Sequence, residues 1–185
     1  MVDEKGLTDF FEGYLKKEVV FKERKVLQSN YIPDNIYYRE NEVKQIANIL
    51  APSLRMEKPS NVFIYGRTGT GKTLCVKYVI KNMLEISKKK GVNLKIFYLN
   101  CKLKRIADTE YRLLAQLTRE FGGDVPATGL PTDEVYRGFL KHLDEKKQLL
   151  IVVLDEIDQL VNKIGDEILY NLTRLNSELT NSEIS

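Results

Sequence analysis

The sequence is poor in the residues from which cross-linked or metal-stabilised folds are built. Its 185 residues include two cysteines, Cys75 and Cys101, and a single histidine. The cysteine spacing does not match that of a metal site, so a disulfide scaffold and a structural zinc site are both excluded as the organising principle. Because no histidine is near either cysteine in the sequence, we predict core or helix-face positions for both rather than nucleophilic roles. Reduced thiols are typical of the cytosol, and we expect a cytoplasmic protein.

Long apolar runs are also missing. No run approaches the roughly 18 residues that a membrane span requires, and the first 18 residues are charged throughout, unlike a secretory signal. We therefore expect no membrane partner. Hydrophobic residues make up 43% of the chain and charged residues 30%, a balance that suits one globular domain, with or without an additional arm.

Charge is unevenly distributed along the chain although the net charge is only +3. Residues 72–119 carry 12 basic and 3 acidic side chains, and residues 120–185 carry 6 basic and 13 acidic ones. The basic stretch is compatible with contact to a polyanion such as DNA. It is equally compatible with a solvated helix face, since Lys88, Lys89 and Lys90 precede Gly91 where a helix is predicted to end.

Apolar spacing predicts strands that alternate with helices, which is typical of a parallel α/β sheet. An amphipathic arm is predicted at 7–27. Short apolar runs predict strands at 61–65, 94–99 and 149–154, and the last is an unbroken aliphatic run typical of a strand covered on both faces. Helical spacing predicts helices from Glu40, from the end of a glycine-rich loop to about Lys90, and over 107–121, 133–146 and 166–179.

The glycine-rich loop at residues 66–73 has the sequence GRTGTGKT, which matches the phosphate-loop pattern in full. Glycines let the backbone fold tightly with its N–H groups directed at phosphates, and the following helix points its positive end at the same anion. We predict that Lys72 reaches the β- and γ-phosphates and that the Thr73 hydroxyl ligates Mg²⁺. The candidate nucleotide-binding residues are Gly66, Thr68, Gly69, Thr70, Gly71, Lys72 and Thr73.

A pair of acidic residues follows the aliphatic strand. Asp155 and Glu156 end the sequence LLIVVLDE, 83 residues after Lys72. At the carboxyl end of a strand, Asp155 can hold the Mg²⁺ shell, and Glu156 can orient or deprotonate an attacking water. The candidate catalytic residues are therefore Glu156 and Lys72, and the candidate metal ligands are Thr73 and Asp155.

The order of these motifs resembles that of the AAA+ ATPases of the archaeal origin-recognition and replication-initiator family. Four features carry the resemblance over about residues 19–183: VLQSNYIPDNIYYRENEVKQIANIL, similar to the stretch that wraps the adenine in the family; the Walker A sequence GRTGTGKT; Asn100-Cys101; and the Walker B sequence LLIVVLDEIDQL. GDVPATGLPTDEVYRGFL also resembles the insertion with which initiators touch DNA.

The resemblance implies an AAA+ P-loop sheet that is incomplete at the C-terminus, because family members are about twice as long. In the family a fourth strand lies between the Walker A and Walker B strands and is followed by a helical lid and a winged-helix domain, and we expect this chain to lack these parts. We expect an arm at 1–30 and a partial AAA+ domain at 31–185. We also expect ATP or ADP with Mg²⁺ as cofactor and weak or absent ATP hydrolysis in a truncated chain.

By the same resemblance, the implied function is initiation of DNA replication at origins by a nucleoid-associated protein. The implied partners are origin DNA, bound weakly without the winged helix, other initiator subunits and the replicative helicase. Two alternatives stay open at this point. One is another P-loop ATPase, such as a clamp-loading or signalling module. The other is a non-hydrolysing regulatory fragment that docks on an intact initiator through the amphipathic arm.

Overall fold

The computed structural model describes residues 4–17, 19, 21–28, 31–102, 109–126 and 129–185. Parts of the predicted arm, the predicted helical residues 107 and 108 and two residues of the loop after that helix, 127 and 128, lie outside this set. The chain divides into a first unit that ends at Asn35 and a second unit, Ile36–Ser185. No helix within the described ranges combines the length and apolar character needed to cross a membrane.

The first unit contains the helix α1 and one 3₁₀ turn at Arg24–Leu27. α1 spans Glu4–Leu15. Its apolar side chains Phe10, Phe11 and Leu15 are exposed. Within the predicted arm at 7–27, the α-helix covers residues 7–15 and the 3₁₀ turn covers Arg24–Leu27.

The second unit alternates helices and strands, as the apolar spacing predicted. Its helices, in chain order, are α2 (Glu40–Leu50), α3 (Lys72–Lys90), α4 (Glu110–Glu120), α5 (Thr132–Asp144), α6 (Ile157–Ile164) and α7 (Glu167–Arg174). Its strands are β1 (Leu94–Asn100), β2 (Leu149–Asp155) and β3 (Glu183–Ile184), and 3₁₀ turns lie at Ala51–Arg55 and Leu175–Glu178.

The strands form a parallel sheet in the order β1-β2-β3. Leu94 pairs with Leu149 at one end of β1, and Asn100 pairs with Asp155 at the other. β3 continues the sheet beside β2 through only two residue pairs. The predicted fold class, a parallel α/β sheet flanked by helices, is confirmed.

Helices cover both faces of the sheet because β1 and β2 alternate between two apolar cores. On one face α2 and α3 pack on the odd-numbered residues of β2, and this cluster consists of Ile46, Leu50, Cys75, Val79, Met83, Leu94, Leu149 and Ile151. On the other face α4 to α7 pack on Phe97, Leu99, Leu150 and Ile184. Two-sided burial explains the unbroken aliphatic run of β2.

The predicted strand at 61–65 is wrong. These residues have no strand pairing, and Phe63 and Tyr65 are 76% and 83% exposed. A strand needs a neighbour to accept its backbone hydrogen bonds. Here the contacts between Ser185 Oγ and the Pro59 carbonyl (3.4 Å) and Asn61 Oδ1 (3.2 Å) reach only the start of the segment. Its apolar composition indicated burial, but within the described residues no strand runs beside it.

The short strand β3 is held by side chains as well as by β2. The Asn176 side chain donates to the Ile184 carbonyl (2.7 Å) and accepts from its N–H (2.8 Å), so it satisfies the edge of β3 that faces away from β2. The preceding turn is tied to Asp144, whose carboxylate accepts from the N–H groups of residues 180–182 at 2.7–3.2 Å. These contacts fix where the sheet continues past β2.

Candidate functional site

The phosphate loop, residues 66–73, connects the extended segment 61–65 to the start of α3. Gly71 precedes the first helical residue with φ +87°, a left-handed conformation that favours glycine. Inside the loop Thr70 Oγ1 donates to the Arg67 carbonyl at 2.8 Å. Residues 66–70, which include the predicted site residues Gly66, Thr68 and Gly69, are exposed. The loop therefore offers its backbone to a ligand from solvent, above the N-terminus of a 19-residue helix.

Lys72 folds back over the loop. Its Nζ donates to the carbonyls of Gly66 at 2.8 Å and Arg67 at 3.0 Å. The ammonium group is thus held at the loop by two neutral acceptors. A phosphate oxygen is a stronger acceptor for an ammonium group than a carbonyl, so an anion entering the loop would compete for the same charge.

Thr73 and Asp155 meet although they are 82 residues apart. Thr73 Oγ1 lies 3.0 Å from Asp155 Oδ2 and 3.2 Å from Oδ1. Thr73 occupies the first turn of α3, and Asp155 ends β2 on the face that α3 covers. The sheet therefore places the two predicted metal ligands side by side.

Two residues of β1 also contact the Asp155 carboxylate. Tyr98 donates its hydroxyl to Asp155 Oδ2 at 2.5 Å, and Asn100 Nδ2 lies 3.4 Å from the same oxygen. Burial, then the hydrogen bond to Asp155 and its charge, raise the pKa of Tyr98, so the phenol keeps the proton that it donates. Motif analysis missed Tyr98. The available signal was its position two residues before Asn100, on the same side of a strand that reaches the carboxyl edge beside Asp155.

Glu156 follows Asp155 in a left-handed backbone conformation. Its φ of +58° is left-handed, a conformation that costs a non-glycine residue of order 1–3 kcal/mol. The side chain is exposed, and within the described residues no hydrogen bond links it to the phosphate loop. Residue 156 is also the N-terminal boundary of α6, a helix that the sequence analysis did not predict.

Arg39 links the segment before α2 to the phosphate loop. Its Nε donates to the Thr70 carbonyl at 3.2 Å, while another guanidinium nitrogen pairs with Glu42 at 3.1 Å. The neighbouring Tyr37 and Tyr38 are 71% and 91% exposed. Tyr38 has a left-handed φ of +62°, and its N–H donates to Glu40 Oε1 at 3.2 Å. The exposed aromatic pair and the loop are thereby held in one structural unit.

Neither cysteine is placed for nucleophilic chemistry. Cys75 and Cys101 are 4% and 0% exposed. Burial, followed by the charges of Asp155 and Asp158, raises the pKa of Cys101 to about 11. Burial also raises the pKa of Cys75. The predicted core positions of both cysteines are confirmed.

The residues around Thr73 fit a hard divalent cation. A threonine hydroxyl and a carboxylate lie within 3.2 Å of each other, and oxygen ligands of this kind, with waters and phosphate oxygens, are those that Mg²⁺ takes. The two cysteines, whose thiols would favour softer metals, lie in the two apolar cores and not beside Thr73. The donor chemistry thus agrees with the predicted cation.

Comparison with known proteins extends these observations. Residues 36–183 match the family described as "ATPase domain predominantly from Archaea". An ORC1-type DNA replication protein of Thermococcus kodakarensis is 45% identical over 188 residues, which cover 100% of this chain and 45% of that protein.

Two solved structures are also similar. The Aeropyrum pernix ORC1 protein in complex with DNA has a TM-score of 0.78 and 40% identity, over 88% of this chain and 42% of that one. The Aeropyrum pernix ORC2 protein, described as ADPNP-ADP complexes, has a TM-score of 0.69 and 28% identity over 89% of this chain and 44% of that one. The chain spans less than half the length of these relatives. Because the family match covers most of the chain, and the fold agrees, the protein belongs to the archaeal ATPase-domain family, and the predicted resemblance to origin-recognition AAA+ proteins is confirmed.

Proposed function

We propose that this chain is the nucleotide-binding part of an archaeal replication initiator and that it binds ATP or ADP with Mg²⁺. The observation that carries the proposal is the meeting of Thr73 with Asp155 at 3.0 Å beneath an exposed phosphate loop. Relatives named as ORC1-type DNA replication proteins support the biological assignment. The solved ADPNP-ADP complexes of a related protein support the ligand class.

In this proposal the loop backbone of Gly66 to Thr73 surrounds the phosphates, and Lys72 exchanges its two carbonyl acceptors for β- and γ-phosphate oxygens. Thr73 ligates the cation and Asp155 holds its shell. Mg²⁺, when bound, neutralises charge on the phosphate oxygens. Tyr37 and Tyr38 lie in the stretch whose resemblance implies contact with the adenine, and the bond from Arg39 to Thr70 connects that stretch to the loop.

For hydrolysis of ATP to ADP and phosphate, we propose that Glu156 orients the attacking water. Its side chain is exposed and directly follows Asp155, so it is accessible to solvent water beside the candidate cation site. We further propose DNA and other initiator subunits as partners. The DNA complex of the similar ORC1 protein supports this. So does the sequence resembling the initiator insertion, residues 123–140, whose second half lies in α5.

Titration of the chain with a fluorescent ATP analogue tests the proposal. Lys72→Ala removes charge-assisted hydrogen bonds worth about 1.5–3 kcal/mol, so we expect its affinity to fall at least about tenfold. Lys88→Ala is the matched control, because it removes a lysine charge from the far end of the same helix. Its affinity should equal that of the unmodified chain.

Two results would contradict the proposal. One is absence of binding by the unmodified, folded chain. The other is an equal loss of affinity in Lys72→Ala and Lys88→Ala, because a uniform loss indicates general charge attraction rather than a phosphate site.

A further inference from the structure

We propose that Tyr98 is a positioning residue for the cation site: it fixes the Asp155 carboxylate so that Oδ1 is presented to the metal shell. This inference rests on the proposed function, since it concerns the same site. It adds a residue that belongs to neither the phosphate loop nor the acidic pair.

The first step is the placement of Tyr98 on the sheet. Asn100 pairs with Asp155 across β1 and β2, and Tyr98 precedes Asn100 by two residues. Side chains two residues apart on a strand share a face, and this is the face that α3 covers. The Tyr98 hydroxyl therefore reaches the end of β2 diagonally, within the layer that contains Thr73.

The second step is the unequal use of the two Asp155 oxygens. Oδ2 accepts from Tyr98 at 2.5 Å, from Thr73 at 3.0 Å and is 3.4 Å from Asn100 Nδ2. Oδ1 has only the longer 3.2 Å contact with Thr73 among the described residues. A carboxylate oxygen with few donors keeps its lone pairs for another ligand. Oδ1 therefore has more lone-pair capacity left for a further ligand than Oδ2.

The third step is that Tyr98 itself is held in place. Lys77 lies one turn after Thr73 on α3, and its Nζ is 4.8 Å from the centre of the Tyr98 ring. A cation placed over the face of an aromatic ring is attracted to that ring. The Tyr98 ring is thus contacted from α3 by Lys77 while its hydroxyl bonds to Asp155. Groups that orient metal ligands in this way typically change metal affinity 10–100-fold when removed.

The test compares two tyrosine-to-phenylalanine variants of the chain. Tyr98→Phe removes the hydroxyl that reaches Asp155. Tyr136→Phe is the matched control, because the Tyr136 hydroxyl is also half-buried and also donates to a carboxylate, Glu110, at 2.5 Å, between helices α4 and α5. Fluorescent ATP-analogue affinity is measured without metal, in EDTA, and across a Mg²⁺ titration, and each variant is also made in an Asp155→Asn background.

We expect Tyr98→Phe to bind the nucleotide normally in EDTA but to need about tenfold more Mg²⁺ for the same gain in affinity. Tyr136→Phe should have the Mg²⁺ requirement of the unmodified chain. In the Asp155→Asn background, Tyr98→Phe should have no further effect on that requirement. If Tyr98→Phe does not fold, Tyr98→His replaces it. The imidazole is shorter than the phenol and does not bring a donor to the Asp155 carboxylate, so the same rise in the Mg²⁺ requirement is expected.

The remaining outcomes overturn the inference. An unchanged Mg²⁺ requirement in Tyr98→Phe, or in Tyr98→His where that variant replaces it, shows that Tyr98 does not act through this carboxylate. An effect of Tyr98→Phe that persists in the Asp155→Asn background shows the same. If the unmodified chain binds no nucleotide, the proposed function fails and the inference fails with it. Normal nucleotide binding with an unchanged Mg²⁺ requirement refutes the inference alone.

Discussion

At the scale of single residues, Gly123 occupies a position that no larger side chain fits. A Cβ atom there would lie 2.5 Å from Thr118 Cγ2 and 2.7 Å from His142 Cδ2. Thr118 is fully buried and donates to the Leu114 carbonyl at 2.8 Å, so it has no room to yield. The close approach holds the loop after α4 against α5.

We therefore expect Gly123→Ala to lower the free energy of unfolding by about 1–3 kcal/mol through overpacking. Gly138→Ala is the control: a Cβ at Gly138, within α5, would meet nothing within 4 Å. It should be neutral or stabilising by up to about 1 kcal/mol, because alanine favours helix. Urea unfolding of the three chains gives the comparison, and equal stability of Gly123→Ala and the unmodified chain would disprove the steric argument.

The Asp144 carboxylate makes the stability of the chain depend on pH. Partial desolvation favours a higher pKa for this carboxyl, but the backbone N–H groups of Asn181, Ser182 and Thr180 together hold its pKa below the ordinary value of 3.8. A lowered folded-state pKa means that the folded chain prefers the ionised form. The stability that this carboxylate contributes is fully present at pH above its ordinary pKa of 3.8 and is lost as the pH falls through its lowered pKa in the folded chain.

Asp144→Asn should accordingly lower the stability of the chain at neutral pH, and the difference from the unmodified chain should shrink below about pH 4. Thermal unfolding from neutral to acidic pH measures this difference. Asp124→Asn changes an exposed carboxylate and should show no such convergence. A gap for Asp144→Asn that stays constant down to about pH 3 would refute the role of the three N–H donors.

At the scale of elements, the apolar pattern alone was sufficient to predict a strand that is buried on both faces and helices that bury one face. The aliphatic run of β2 and the spacing of α2, α3, α4 and α5 predicted those elements, with differences of one to a few residues at the ends. The strand predicted at 61–65 failed, because apolar composition reports a tendency to be buried and says nothing about whether a hydrogen-bonding neighbour is present. Helix α6 was missed because it begins directly after Glu156, and the left-handed φ of Glu156 cannot be predicted from amino-acid composition.

In the candidate site, too, features that depend on local sequence were predictable and those that depend on strand pairing were not. The loop and the Asp155-Glu156 pair were predictable because their chemistry depends on local sequence. Tyr98 was not predicted, since its bond to Asp155 depends on the register between two strands whose paired residues are 55 positions apart in the sequence. That register became known only from the pairing of Asn100 with Asp155.

At the scale of the whole chain, the segment 61–65 presents unpaired backbone and exposed apolar side chains. Phe63 and Tyr65 stack with their ring centres 6.1 Å apart, and both are mostly exposed. An extended apolar segment of this kind is a template for pairing with a second chain. We expect the 185-residue chain to self-associate as its concentration rises.

The double variant Phe63→Lys/Tyr65→Lys should reduce this association, because charge on an open edge opposes pairing. Ile86→Lys is the control, since it changes a side chain that is 45% exposed on helix α3. Sedimentation velocity across a concentration series separates the variants. Self-association that is equal in all three chains would place the contact elsewhere.

The two buried thiols have a practical consequence. Cys75 belongs to the apolar core on one face of the sheet, and Cys101 to the core on the opposite face. A thiol reagent added to the native chain reacts with each only when its own layer opens. The labelling rates of the two thiols therefore report separately on the opening of each apolar core. Different rates indicate that the layers open one at a time, and equal rates indicate one concerted opening.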